Sequence, residues 1–216
     1  TWGEDISSKP SILNFSLFNG DSDSLRHRTR NYYECLAGVE QSVGIILDSL
    51  EALGILDNTL VIFTSDNGFL LGAHTLQGKA LAYEESIRVP LFIRYPAMFS
   101  PGLIVDDIVL NVDIMPTILE IAGIAPISQN QGLSLLDLAT PEVNRNSFYY
   151  EFYQRANNTF PFAFDILSVR SLEKKYIVYP KTNEIEELYD LELDPIEAVN
   201  LFFDPSYDAV RDTMRS

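Results

Sequence analysis

The 216-residue chain contains one cysteine, Cys35, and two histidines, His27 and His74. A single thiol excludes an internal disulfide, and so few nitrogen and sulfur donors argue against the usual zinc sites. Positive charge is also scarce: 15 Lys and Arg stand against 31 Asp and Glu, a net charge of −16. Long-range repulsion at that charge opposes an extended nucleic-acid or anionic-membrane surface, so a polyanionic substrate needs a locally positive pocket. No run approaches the roughly 20 apolar residues that span a bilayer, and nothing at the N-terminus reads as a signal peptide. Repeats and low-complexity segments are missing. No Met precedes Thr1, so the chain reads as a processed product or an excised fragment. Compartment stays open, with a periplasmic or secreted location compatible. Asn14-Phe15-Ser16 and Asn157-Asn158-Thr159 match the glycosylation sequon, which matters only in a secretory eukaryotic setting.

What is present is enough for a core. Hydrophobic residues make up 46% of the chain, and its length fits one large domain or a domain with an appendage. The first thirty residues, broken at Lys9-Pro10 and Asn19-Gly20-Asp21, read as a loop-rich lead-in. Beyond them Tyr33, Leu36, Val39, Val43, Ile46, Leu47, Leu50 and Leu53 recur at helical spacing, with Gly54 as terminator and Ile55 as its apolar partner. Cys35 falls on the apolar side of this helix and reads as a small core residue. Leu60 to Thr64 reads as a short, fully buried strand, and Leu91 to Tyr95, between Pro90 and Pro96, as a second. A helical turn is expected around Leu81 to Ser86 and a third strand over Ile104 to Leu110. Asp113 then caps a helix with Pro116 in its first turn and Gly123 past its end.

From about Asn146 the pattern changes to short aromatic-rich runs: Phe148 to Phe152, Ile166 to Arg170, Lys175 to Tyr179 and Glu187 to Leu191. This predicts an antiparallel sheet. Asp204-Pro205 opens a terminal helix. The chain therefore divides into an α/β portion, 1–145, and a small antiparallel subdomain with a helix, 146–216.

The chemistry concentrates where the first strand ends. Ser65-Asp66-Asn67-Gly68 breaks the strand, and in open α/β sheets ligands bind beyond the carboxyl ends of strands. Asp66 offers a carboxylate and Asn67 an amide oxygen, a pair that suits a hard cation; the same four residues are also ordinary turn chemistry. Gly68 lets the backbone turn sharply. Lys79, after Gly78, can set an ammonium against an anionic ester, and His74 on the same loop can donate to a substrate oxygen or act as an acid. Both also read as ordinary surface or structural residues. Glu84 and Arg88 are placed for a local ion pair, Asp106-Asp107 reads as solvated, and Glu184, Glu186, Glu187, Asp190, Glu192 and Asp194 read as outward charges on a hairpin.

Taken in order, Tyr32-Tyr33 through Val43-Gly44, Leu60 to Gly68, Leu71-Gly72 with His74 and Lys79, and Tyr83 to Leu91 resemble the C-terminal half of a type I sulfatase. Val112 to Leu119 and Glu187 to Pro195 extend the resemblance over nearly the whole chain. It implies a partial alkaline-phosphatase-like sheet with flanking helices, followed by the small antiparallel sheet and terminal helix. By the same resemblance Asp66 and Asn67 are calcium ligands, Lys79 contacts the sulfate group, and His74 matches a loop histidine near the pocket mouth. Ala73 stands where the family commonly has a glutamate.

The family's Cys-x-Pro-Ser-Arg motif, whose cysteine becomes the formylglycine nucleophile, and its early Asp-Asp pair are both missing; Cys35 sits instead in Glu34-Cys35-Leu36-Ala37-Gly38. The resemblance thus implies a fragment of a sulfatase, inactive alone, with an incomplete Ca2+ site and with formylglycine in the missing N-terminal half. Its substrate would be a small-molecule or saccharide sulfate ester, with no nucleic acid and no membrane as partner. Self-association, or pairing with the missing N-terminal half, would cover apolar faces left open. A phosphatase, phosphomutase or phosphonate hydrolase of the same superfold, and a non-catalytic module, are the competing readings. Asn67 disfavours the two-zinc relatives, which tend to carry histidine after the aspartate.

Overall fold

The computed structural model describes residues 6–11, 13, 17, 20–125, 127–155, 164–181 and 185–215. Both glycosylation tripeptides, and Glu184, lie outside the described residues. In chain order the elements are α1 (Ser22–Ala52), β1 (Val61–Thr64), β2 (Leu70–Leu71), β3 (Gln77–Gly78), α2 (Glu84–Ile87), β4 (Leu91–Arg94), α3 (Ile114–Ile121), α4 (Leu135–Leu138), β5 (Ser147–Gln154), β6 (Phe164–Ser171), β7 (Lys174–Val178), β8 (Glu187–Asp190) and α5 (Asp208–Arg215). They fall into two compact units, one built from Thr1–Val39, Asn67–Val89 and Phe148–Ser216, the other from Glu40–Asp66 and Pro90–Ser147. Among the described residues no helix is long and apolar enough to cross a membrane.

Helix α1 starts inside the segment expected to be a loop, because Asp21 Oδ1 accepts the Ser24 N–H at 2.8 Å and caps it. Its end is as expected: Gly54 adopts φ +69°, its N–H reaches Glu51 O at 2.8 Å, and the Ile55 N–H reaches Leu50 O at 3.1 Å. The expected burial does not follow. No described residue of α1 is buried, Tyr33 is 64% and Leu53 71% exposed, and Cys35 is exposed rather than a core residue. The apolar stripe is real, but the described residues of this chain do not cover it.

In the second unit β1 and β4 form an antiparallel ribbon with Val61 opposite Arg94 and Thr64 opposite Leu91. Strand β1 is not fully buried as expected: Phe63 faces Phe92 across the ribbon, ring centroids 6.2 Å apart, and Phe92 is 67% exposed. Ile104 to Leu110 forms no strand and stays a loop, with Ile104 81% exposed; among the described residues none pairs with it in a ladder. Helix α3 ends on Gly123 (φ +68°), with the Ile124 N–H bonded to Leu119 O at 2.9 Å.

Asp113 holds the N-cap position of α3, but its side chain does not cap the helix. Instead the buried carboxylate accepts the Leu110 N–H at 2.7 Å and the Leu133 N–H at 2.8 Å, and takes Arg145 bidentately at 2.6 and 2.7 Å. Gly132 must be glycine there, because a Cβ would overlap the Val112 carbonyl.

The first unit is built on the antiparallel sheet β5-β6-β7-β8, as the aromatic-rich runs predict. Leu167 lies opposite Val178 and Tyr176 opposite Leu188. Leu70, Leu76, Leu81, Tyr83, Ile166 and Ile177 join one buried cluster, which ties the β2–β3 loop to this sheet. Asp204 Oδ1 accepts the Ser206 N–H at 2.9 Å and starts the turn into α5.

The acidic run before α5 is a solvated face only in part: Glu192 is exposed and Glu186 and Asp194 are half-buried. Glu187 and Asp190 are buried: Glu187 accepts hydroxyls from Tyr83 at 2.7 Å, from Tyr179 at 2.6 Å and from Tyr189, and Asp190 pairs with Lys174 at 3.0 Å. Glu84 likewise turns inward, to Lys175 at 2.7 Å and Arg170 at 3.2 Å, rather than pairing with Arg88 as its spacing suggested. Burial works against the charge on Glu84, but Lys175 and Arg170 outweigh it and hold its carboxyl below the ordinary value.

Candidate active site

Strand β1 ends at Thr64, and Asp66, exposed, closes this segment of the second unit. Ser65 Oγ lies 3.5 Å from Asp66 Oδ1. The main chain of this turn is held from the side by Asn111, whose Nδ2 donates to Asp66 O at 3.2 Å and Ser65 O at 3.4 Å. Sequence reasoning missed Asn111; its only signal was its place two residues before Asp113.

Asn67 opens the corresponding segment of the first unit. Its Nδ2 donates to Gly68 O at 2.8 Å, which aims Oδ1 the other way, and Lys79 Nζ donates to that Oδ1 at 2.9 Å. Two separately named candidates, Asn67 and Lys79, therefore touch. Gly68 is needed for room rather than for its backbone angle: a Cβ would overlap the Glu85 carbonyl, and the Gly68 N–H bonds Ser86 O at 2.9 Å.

The loop between β2 and β3 carries the remaining candidates. Gly72 (φ +87°) starts a tight turn closed by Gly72 N–H to Leu76 O at 3.0 Å, and His74 and Thr75 both sit in the left-handed region, at φ 55° and 57°. Left-handed non-glycine residues of this kind persist where the surroundings over-determine them. For His74 those surroundings are explicit. The ring is buried, stacks on Tyr83 with centroids 4.4 Å apart, and sets Nε2 3.2 Å from Glu85 Oε2. Burial opposes charge on Glu85, yet the hydrogen bond from His74 helps keep its carboxyl below the ordinary value. Lys79, just after β3, is exposed.

His74, Glu85 and Glu197 bring ligand atoms within 4.8 Å of one another. That grouping is already neutralised without an ion: Glu197 Oε1 pairs with Lys175 at 2.7 Å and Glu197 Oε2 accepts the Glu84 N–H at 2.7 Å. Each taken by itself, the Asp66 carboxylate and the Asn67 amide oxygen are donor types that suit a hard cation.

The fold is of the alkaline-phosphatase-like class: a solved 2-O GAG sulfatase matches 98% of this chain and 48% of its own, with a TM-score of 0.87 at 24% identity. Residues 5–124 match the sulfatase family model, and residues 72–216 match the C-terminal model of N-sulphoglucosamine sulphohydrolase. The chain belongs to the sulfatase family. It is 35% identical over 186 residues to an N-acetylglucosamine-6-O-sulfatase of Bacteroides thetaiotaomicron, covering 82% of this chain and 32% of that protein. A structure solved with its substrate D-glucosamine-2-N,6-O-disulfate is 34% identical with a TM-score of 0.77, over 83% of this chain and 37% of that one. The chain spans between 30% and 42% of the length of the curated relatives it matches.

Proposed function

We propose that this chain supplies the C-terminal part of a sulfatase that hydrolyses saccharide sulfate esters, with Asp66 and Asn67 as calcium ligands and Lys79 facing the sulfate. The observation that carries the reading is the 2.9 Å hydrogen bond from Lys79 Nζ to Asn67 Oδ1, which sets a positive charge beside the oxygen donor. In a protein of net charge −16 a local cation is what an anionic ester requires. A bound calcium ion would supply Lewis-acid stabilisation of charge on the ester oxygens. Two donors leave most of a calcium shell to other residues of the enzyme.

Lys79 balances the sulfate charge and orients the ester. Because β3 and the buried His74–Glu85 contact fix the loop, that ammonium is placed before the substrate arrives. His74 acts here by holding the loop, its ring being packed on Tyr83. Overall, water cleaves the ester to an alcohol and sulfate, with a formylglycine nucleophile supplied from outside these residues. The saccharide class rests on the two relatives of 35% and 34% identity.

Asp66→Ala in the complete enzyme should lower kcat/KM for an aryl sulfate by about a hundredfold or more, the scale of losing a charge-stabilising group in the site. An unchanged rate removes the assignment. A phosphonate monoester hydrolase is the second reading, favoured by the Agrobacterium radiobacter enzyme, 30% identical with a TM-score of 0.79 over 90% of this chain and 41% of that one. Turnover of matched aryl sulfate and aryl phosphonate esters separates the two.

A further inference from the structure

We propose that Asn111 is a positioning residue for the metal-binding turn, fixing Asp66 through its main chain; the inference rests on Asp66 being a calcium ligand. In an extended strand successive carbonyls point to opposite sides. Here one amide group donates to both Ser65 O and Asp66 O, at 3.4 and 3.2 Å, so these consecutive carbonyls converge on one point. That convergence follows directly on the end of β1 at Thr64 and holds the main chain from which the Asp66 side chain leaves.

Asn111 can impose it because its own backbone is fixed. It opens the short 3₁₀ turn Asn111–Asp113, whose Asp113 carboxylate accepts the Leu110 N–H at 2.7 Å and is itself clamped by Arg145 and the Leu133 N–H. Arg145 also donates to Ile108 O at 3.1 Å, tying down the approach to the turn. A buried, fully matched carboxylate thus anchors an exposed amide, and the amide holds the ligand's backbone. Partners behind a metal ligand typically change affinity tenfold or more when removed.

The test uses the complete enzyme. In the metal-free protein, Asn111→Ala should speed hydrogen exchange of the peptide covering residues 65–68 while leaving α3 and the thermal midpoint unchanged; unaltered exchange overturns the proposal whatever the metal does. By calorimetry, calcium affinity should fall about tenfold in Asn111→Ala and recover in Asn111→Gln, which keeps the donor. Unchanged affinity in Asn111→Ala, with binding lost in Asp66→Ala, overturns the proposal alone. Unchanged affinity in both variants overturns Asp66 as ligand, and the proposal falls with it.

Discussion

At the scale of single residues, the sequence picked out Asp66, Asn67 and Lys79 from type and order, and the structure joins the last two by a hydrogen bond. It could not show that Gly68 is required by packing. The glycine lies against the backbone of Glu85 and Arg88, a contact between segments well separated in sequence, whereas turn statistics see only neighbours. Gly68→Ala should therefore destabilise the protein by about 1–3 kcal/mol, the cost of forcing a methyl into filled space. Denaturant unfolding checks this, and a change below about 0.5 kcal/mol, the level of an ordinary surface substitution, would show that the Glu85 segment yields freely. Asn111 was hidden for a related reason: an exposed asparagine carries no pattern, and its partners, Ser65 and Asp66, belong to a different stretch of chain.

At the scale of elements, apolar periodicity located α1, continuous apolar runs β1 and β4, terminal signals at Asp113, Pro116 and Gly123 the helix α3, and aromatic-rich runs the four strands of the C-terminal sheet. Such patterns failed for charged residues whose partners come from elsewhere. Glu84 looked like half of a local pair with Arg88, but α2 packs so that Glu84 meets Lys175 of β7 and Arg170 of β6. Lys175 is fully buried and keeps Glu197 as a partner, so Glu84→Gln removes one of its two carboxylates and should cost about 1.5–3 kcal/mol at neutral pH. The pH dependence follows from the direction of the shift. The folded-state pKa of Glu84 lies below its ordinary 4.5, so its contribution is complete above that value and is lost as pH falls through the folded-state pKa. The stability gap between wild type and Glu84→Gln should accordingly narrow on acidification, measured by denaturant midpoints at a series of pH values. A gap that widens would mean that Glu84 is not the ionised partner of Lys175.

At the scale of the whole molecule, the mismatch between pattern and burial is itself informative. The helical repeat of α1 is strong, yet Tyr33, Val39, Ile46 and Leu53 remain exposed, as do Phe92 on β4 and Ile104 in the loop beyond it. Single exposed apolar residues are ordinary, but a stripe along a 31-residue helix is apolar surface that water does not favour. Relatives of whose length this chain spans between 30% and 42% supply a physical reason: sequence patterns are set by the complete fold, and these residues match only part of it. Expressed as these 216 residues, the chain should therefore self-associate through its apolar faces. Replacing Tyr33, Ile46 and Leu53 together by polar residues should reduce that association without unfolding the molecule, because none of the three is buried. Sedimentation velocity over a series of concentrations distinguishes the outcomes. A monodisperse monomer at every concentration would mean that the stripe is tolerated in water and that burial in a larger assembly is not what selected it.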